Sequence, residues 1–204
     1  MPPGPALVEV ADLRSFFFQS LHDAVDKHGV DARDGTVPYL AGMLTDYARA
    51  ERLFDRTADG TVRTPLALLY KSAAESGSAR ERSLFLRRLG DLALFIAGLF
   101  SESLSRGPVD VDYYIAMGGG AYASLSSMPG DGARERALLG VFDDLASNFV
   151  RFVDVLGEVG EQTREDLQED VLRLHELWQR TGSRRIERRL RALGVVPQRH
   201  FPAH

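Results

Sequence analysis

Nine consecutive residues, Leu92–Phe100 (LALFIAGLF), carry no polar side chain. A helix built on such a run has no face to give to water, so other elements must wrap it. The run is far shorter than the ~20 apolar residues a membrane span needs. It is therefore expected as the middle of a core, within a helix over about 79–105 that Gly107–Pro108 stops. A chain of 204 residues is long enough to surround it in one domain.

Helical spacing recurs along the rest of the chain, and no convincing strand pair is found. After a loose, proline-rich 1–5, a first helix over about 11–28 turns Leu13, Phe16, Phe17, Leu21 and Val25 to one side and ends at Gly29. A second, about 38–56, starts at Pro38 and lines its inner face with Leu40, Met43, Leu44, Tyr47, Leu53 and Phe54. TADGTVR is a turn. A short helix follows from Thr64–Pro65 to about Ser76, with Leu66, Leu69 and Tyr70 inside. The segment 111–127 is helical at both ends, and MPGDG (128–132) is a turn.

Beyond it, Leu138, Phe142, Leu145, Phe149, Phe152, Leu156 and Val159 alternate steps of four and three, a sustained heptad seam on one helix over about 133–160. Val141, Ala146, Val150, Val153 and Val155 widen that stripe, which favours burial while leaving a helix-to-helix dimer open. Thr163-x-x-Asp166 is expected to open a separate helix striped by Leu167, Val171, Leu174 and Trp178. Thr181–Ser183 interrupts it, and Ile186, Leu190 and Leu193 mark a last short helix closed by Gly194 and Pro197.

Composition excludes several chemistries. There is no cysteine, so disulfides, zinc-thiolate sites, iron–sulfur clusters and cysteine nucleophiles are out. The net charge of −4 does not suit general nucleic-acid binding. Lys27 and Lys71 are the only lysines among many arginines, as in a GC-rich bacterial genome. MPPGPALVEV has no basic segment and no long apolar core, so no signal peptide is expected and the location is read as cytoplasmic. His22, His28, His175, His200 and His204 form no Glu-x-x-His pair, and the one His-x-x-x-His spacing, His200 and His204, encloses Pro202 in the tail, so no di-iron bundle or helical metal site is expected. No GxSxG motif is present.

Three features remain as candidate sites. Gly118–Gly120 stand in a row. A glycine inside a helix costs about 1 kcal/mol relative to alanine, and three together are a large fraction of the ~5–15 kcal/mol that holds a domain. Close approach of another helix, a ligand lying against bare backbone, and a hinge each account for them. Gly90, Ala93, Ala97 and Gly98 offer a small-residue surface for the first. The pattern is not a phosphate loop, having no GxxxxGK[ST] and no preceding strand. Asp91, at the edge of the apolar run, needs a partner if buried; Arg87, Arg88, a tyrosine hydroxyl or a helix N-terminus would serve. Tyr113, Tyr114 and Tyr122 are amphipathic and are core residues or the lining of a polar pocket. The third feature is the basic cluster Arg180, Arg184, Arg185, Arg188, Arg189 and Arg191. On a helix, Arg184, Arg188 and Arg191 share a face opposite Ile186, Leu190 and Leu193. It reads as pairing with the acidic residues before it, as an acidic-partner surface, or as a phosphate-binding stripe.

The runs LGDLALFIAGLF and VDVDYYIAMGGGAYASL resemble a signature of bacterial all-helical proteins, over about residues 36–127, with LWQRTGSRRIERRLRALG as a further part. That resemblance implies an all-helical fold and carries no activity. A second resemblance is to haem oxygenases, which are helical, of about this size, and have an N-terminal His and a distal helix with Gly-Asp before a glycine pair. Gly90–Asp91 match, and LALF stands where the Ser-Gly-Gly part would be. It implies a haem or other tetrapyrrole ligand with His22 on the iron.

The resulting expectation is an all-α, single-domain bundle of about seven or eight helices. The leading functional expectation is a cytosolic, non-catalytic interaction or regulatory protein that self-associates, with no cofactor, metal, membrane or nucleic-acid partner. The alternative is a small-molecule binder or enzyme, with Asp91, Tyr113, Tyr114, Gly118, Gly119, Gly120 and Tyr122 lining a pocket between helix 79–105 and segment 111–127.

Overall fold

A computed structural model describes residues 5–54, 66–104, 110–192 and 195. Among these the regular elements are nine helices, with no strand. They are α1 Pro5–Lys27, α2 Thr36–Phe54, α3 Leu66–Ala74, α4 Ala79–Leu99, α5 Ser101–Leu104, α6 Val111–Ser126, α7 Ala133–Ser147, α8 Phe149–Thr181 and α9 Arg184–Ala192. The fold is all-α, as the periodicity implies. The TADGTVR turn, the Thr64–Pro65 start, the Gly107–Pro108 stop, Leu193 and residues 196–204 lie outside the described residues, as do the side chains of Leu53, Phe54 and Leu167. The contacts group the chain into two compact units, Met1–Val159 and Gly160–His204.

In the first unit α4 is the central rod. Ser78 caps it, its side chain accepting from the Glu81 backbone N–H at 3.2 Å. Ala93 through Gly98 are all buried, and Leu92, Leu99 and Phe100 are half-buried. α4 lies against α3 and α6, α6 against α7, and α1 against α2, which also touches α7. Leu21 and Val25 of α1, Leu40 and Leu44 of α2, and Leu66 and Leu69 of α3 complete the core. Phe16 and Tyr70, expected inside, are exposed at 39% and 58%. Ala24 and Ala73, which need less room, are buried instead.

The α1 stop is local. Gly29 takes a φ of 59°, and Val30 N–H donates to the Val25 carbonyl at 3.0 Å. This is the left-handed closure that favours glycine. A less local device fixes α2. Asp144 of α7, almost fully buried, accepts from Arg33 N–H at 2.9 Å, Thr36 Oγ1 at 2.7 Å and Asn148 Nδ2 at 2.9 Å. A buried carboxylate with three donors is satisfied, and it ties the α1–α2 connection to α7.

Several boundaries depart from the sequence expectation. α1 begins at Pro5 rather than at about 11, and the central helix ends at Leu99 with Phe100 as its C-cap, the short α5 following where one helix to about 105 was expected. The seam helix breaks at Asn148, the C-cap of α7, yet Phe142, Leu145, Phe149, Phe152, Leu156 and Val159 remain buried across the break. Leu138 is exposed at 36%. Thr163 does not start a helix, because α8 runs on to Thr181. α6 passes unbroken through Gly118–Gly120.

Candidate functional site

Asp91 lies where α2, α4 and α6 of the first unit converge. Its carboxylate Oδ1 accepts from the Tyr39 hydroxyl at 2.5 Å and the Tyr122 hydroxyl at 2.8 Å. Arg87, one turn earlier on α4, has Nε 3.6 Å from Asp91 Oδ2 and donates to Tyr39 Oη at 3.1 Å. The Arg87 guanidinium also stands 5.1 Å from the Tyr39 ring centroid, a cation–π distance. Phe142 closes the aromatic frame, stacked on Tyr122 and edge-on to Tyr39.

Glycine makes this possible. A Cβ on Gly90 would come within 2.7 Å of the Tyr122 ring, so only a bare residue lets that ring lie on α4 and reach the adjacent Asp91. Gly118 does the equivalent on α6, where a Cβ would come within 2.8 Å of the Ala93 methyl and 2.6 Å of Phe149 Cε2. Gly119 would meet Phe149 only at 3.8 Å, and a Cβ on Gly120 would meet nothing within 4 Å. Gly98 serves a different neighbour from the one expected: it gives room to Leu156 of α8.

Burial governs the electrostatics. Desolvation pushes the Asp91 carboxyl above the ordinary Asp range, against the donors on Tyr39, Tyr122 and Arg87 that favour its ionised form. Desolvation, reinforced by the Asp91 charge, raises the Tyr39 and Tyr122 hydroxyls too, so both stay protonated as donors. The group ties α2, α4 and α6 together through the Asp91 carboxylate. It contains no thiol, no amine and no imidazole.

The other expected residues fall elsewhere. Tyr113 and Tyr114 pack edge-on against each other, with Tyr113 exposed. Gly120 is exposed, and Gly119 half-buried. His22 sits 3.2 Å from Asp26 and borders a hollow of about 270 Å³ lined by Val25, Val30 and Val37 among others. Among the described residues no cluster of His, Asp and Glu could hold a metal, and no helix is long and apolar enough to cross a membrane.

In the second unit, α9 presents Arg184, Arg185, Arg188, Arg189 and Arg191 to solvent, while Leu190 is buried and Ile186 half-buried. Arg191 pairs with Glu187 at 2.9 Å. The expected pairing with acidic residues of the preceding helix is not found for Arg184, Arg185, Arg188 or Arg189 among the described residues.

Sequence reasoning missed Tyr39 and Asp144. Tyr39 stands four residues before Met43 and eight before Tyr47, which does mark it as inward-facing. Asp144 sits between seam positions Phe142 and Leu145, an acidic residue beside an apolar stripe. Compared with protein-family models, curated proteins and solved structures, the chain matches none.

Proposed function

We propose that the chain is a non-catalytic interaction protein that self-associates and offers the arginine face of α9 to an acidic protein partner. One observation carries this reading: Arg184, Arg185, Arg188 and Arg189 are exposed with no ion pair to any described residue. Exposed guanidiniums crowded on one helix repel each other and are relieved by an acidic surface. The group that looked most like a reactive site is saturated instead. Asp91 is occupied by Tyr39, Tyr122 and Arg87, and the space over Gly90 and Gly118 is filled by Tyr122 and Phe149. The small-molecule alternative therefore has less behind it.

Fluorescence anisotropy with a labelled poly-glutamate peptide tests the proposal. The full chain is expected to bind it at low salt and release it at high salt. Arg184→Glu with Arg188→Glu, one turn apart, should abolish binding while leaving the circular dichroism spectrum unchanged. Indifference of the wild-type chain to the peptide, or tighter binding of duplex DNA than of peptide, would overturn it.

A further inference from the structure

The distal part of α8 carries a second surface with its own logic. At 3.6 residues per turn, positions 172, 173, 176, 177 and 180 fall within an arc of about 140°. Leu172, Arg173, Glu176, Leu177 and Arg180 are all exposed. On the other side of the same helix Val171 and Leu174 are half-buried and Trp178 is buried. Leu172 and Leu177 are 60% and 44% exposed. A single exposed leucine needs no explanation. Here the two sit inside a charge pattern that inverts about its own centre. Around the midpoint between Leu174 and His175, Leu172 mirrors Leu177 and Arg173 mirrors Glu176; in the sequence Glu169 likewise mirrors Arg180. Arg173, Glu176 and Arg180 make no ion pair with any described residue.

We propose that this face of α8 pairs antiparallel with the same face of a second copy, about a two-fold axis passing between Leu174 and His175. A two-fold contact requires a self-complementary patch, in which each pairing occurs twice. On the arc Glu176, Arg180 and Arg173 lie in the middle and the two leucines at its edges, so Arg173 meets the partner's Glu176 twice at the centre and Leu172 and Leu177 flank these charge pairs. A parallel pair would set Arg173 against the partner's Arg173 and Glu176 against the partner's Glu176, so charge selects the antiparallel arrangement. An acidic or a basic foreign helix would each be repelled by half of the pattern. The inference rests on the self-association proposed above but uses a surface separate from the α9 arginines.

Sedimentation equilibrium of the full chain over a range of concentrations and salt is the test. A dimer that weakens with dilution and with salt is expected. Arg173→Glu alone, or Glu176→Arg alone, places like charges together at both symmetric contacts and should weaken the dimer about tenfold or more. The double variant Arg173→Glu/Glu176→Arg restores every pair with its sign exchanged, and the dimer should return. Arginine and glutamate are comparable helix formers, and circular dichroism of each variant checks that the helix persists. A monomer at all concentrations overturns both this inference and the self-association. A dimer indifferent to the single reversals, or a double variant no stronger than the singles, overturns the α8 surface alone.

Discussion

The three adjacent glycines of α6 are not equivalent, and alanine substitutions separate them. Gly118→Ala drives a methyl into Phe149 and Ala93, backed by helix α4, and should cost about 1–3 kcal/mol, the usual range for overpacking. Gly120→Ala meets nothing and should stabilise by about 0.5–1 kcal/mol, because a helical alanine loses less backbone entropy than glycine. Urea denaturation of the two variants decides the matter; equal stabilities would mean that close approach does not explain Gly118. Asp91 gives a second contrast. Asp91→Ala leaves the fully buried Tyr122 hydroxyl without its acceptor and should cost about 2–4 kcal/mol. Asp91→Asn keeps an oxygen for both tyrosines and should cost much less. Its pH dependence has a definite sign. A carboxyl whose folded pKa lies above its unfolded value takes up a proton more readily in the folded state. Its contribution to stability is complete below the ordinary Asp value near 3.9 and is lost as pH rises through the raised folded value. Melting temperatures of Asp91→Asn, relative to wild type, should therefore compare more favourably at neutral pH than in acid. An offset unchanged between the two conditions would contradict the raised carboxyl.

At the level of elements, what was legible in the sequence is what a single helix determines for itself. The apolar run of α4 announces its own burial, and the Ala93–Gly98 segment follows it. Every seam residue except Leu138 is buried, and of the residues that widen the stripe Val141, Val153 and Val155 are buried while Val150 is exposed at 53%, yet the seam hides the break. Asn148 lies off the seam, so the spacing of apolar residues is the same with or without it. The cause of the Asp144 arrangement is more than a hundred residues away: Thr36 and Arg33 draw the Asp144 carboxylate, which also holds Asn148. Tyr39 is likewise invisible as a partner of Asp91, since nothing local to α2 indicates that α4 will present a carboxylate there. Asp143 and Asp144 test how far adjacent identical residues diverge once placed. Asp143 makes an exposed pair with Arg33 at 2.7 Å, worth less than about 1 kcal/mol. Asp144→Ala strands the buried Thr36 hydroxyl and should cost about 2–4 kcal/mol. Parallel denaturation curves for the two alanine variants check this difference.

For the molecule as a whole, the two units have their own spectroscopic reporters. All six tyrosines lie before Val159, and the single tryptophan, Trp178, lies after it. The main buried cluster belongs to the first unit, whereas the buried apolar side chains of the second are Trp178 and Leu190 among the described residues. Burial of apolar area is the dominant stabilising term, at about 25 cal/mol per Å², so the second unit should open at lower denaturant than the first. Tryptophan emission is then expected to change at a lower urea concentration than tyrosine absorbance in the same sample. The prediction couples to the α8 pairing. A second copy that binds only the folded second unit stabilises it by mass action. Raising the protein concentration should move the tryptophan transition to higher urea and leave the tyrosine transition in place. Transitions that coincide at every concentration would mean that the chain unfolds as one cooperative body, and that pairing through α8 does not act on the second unit separately.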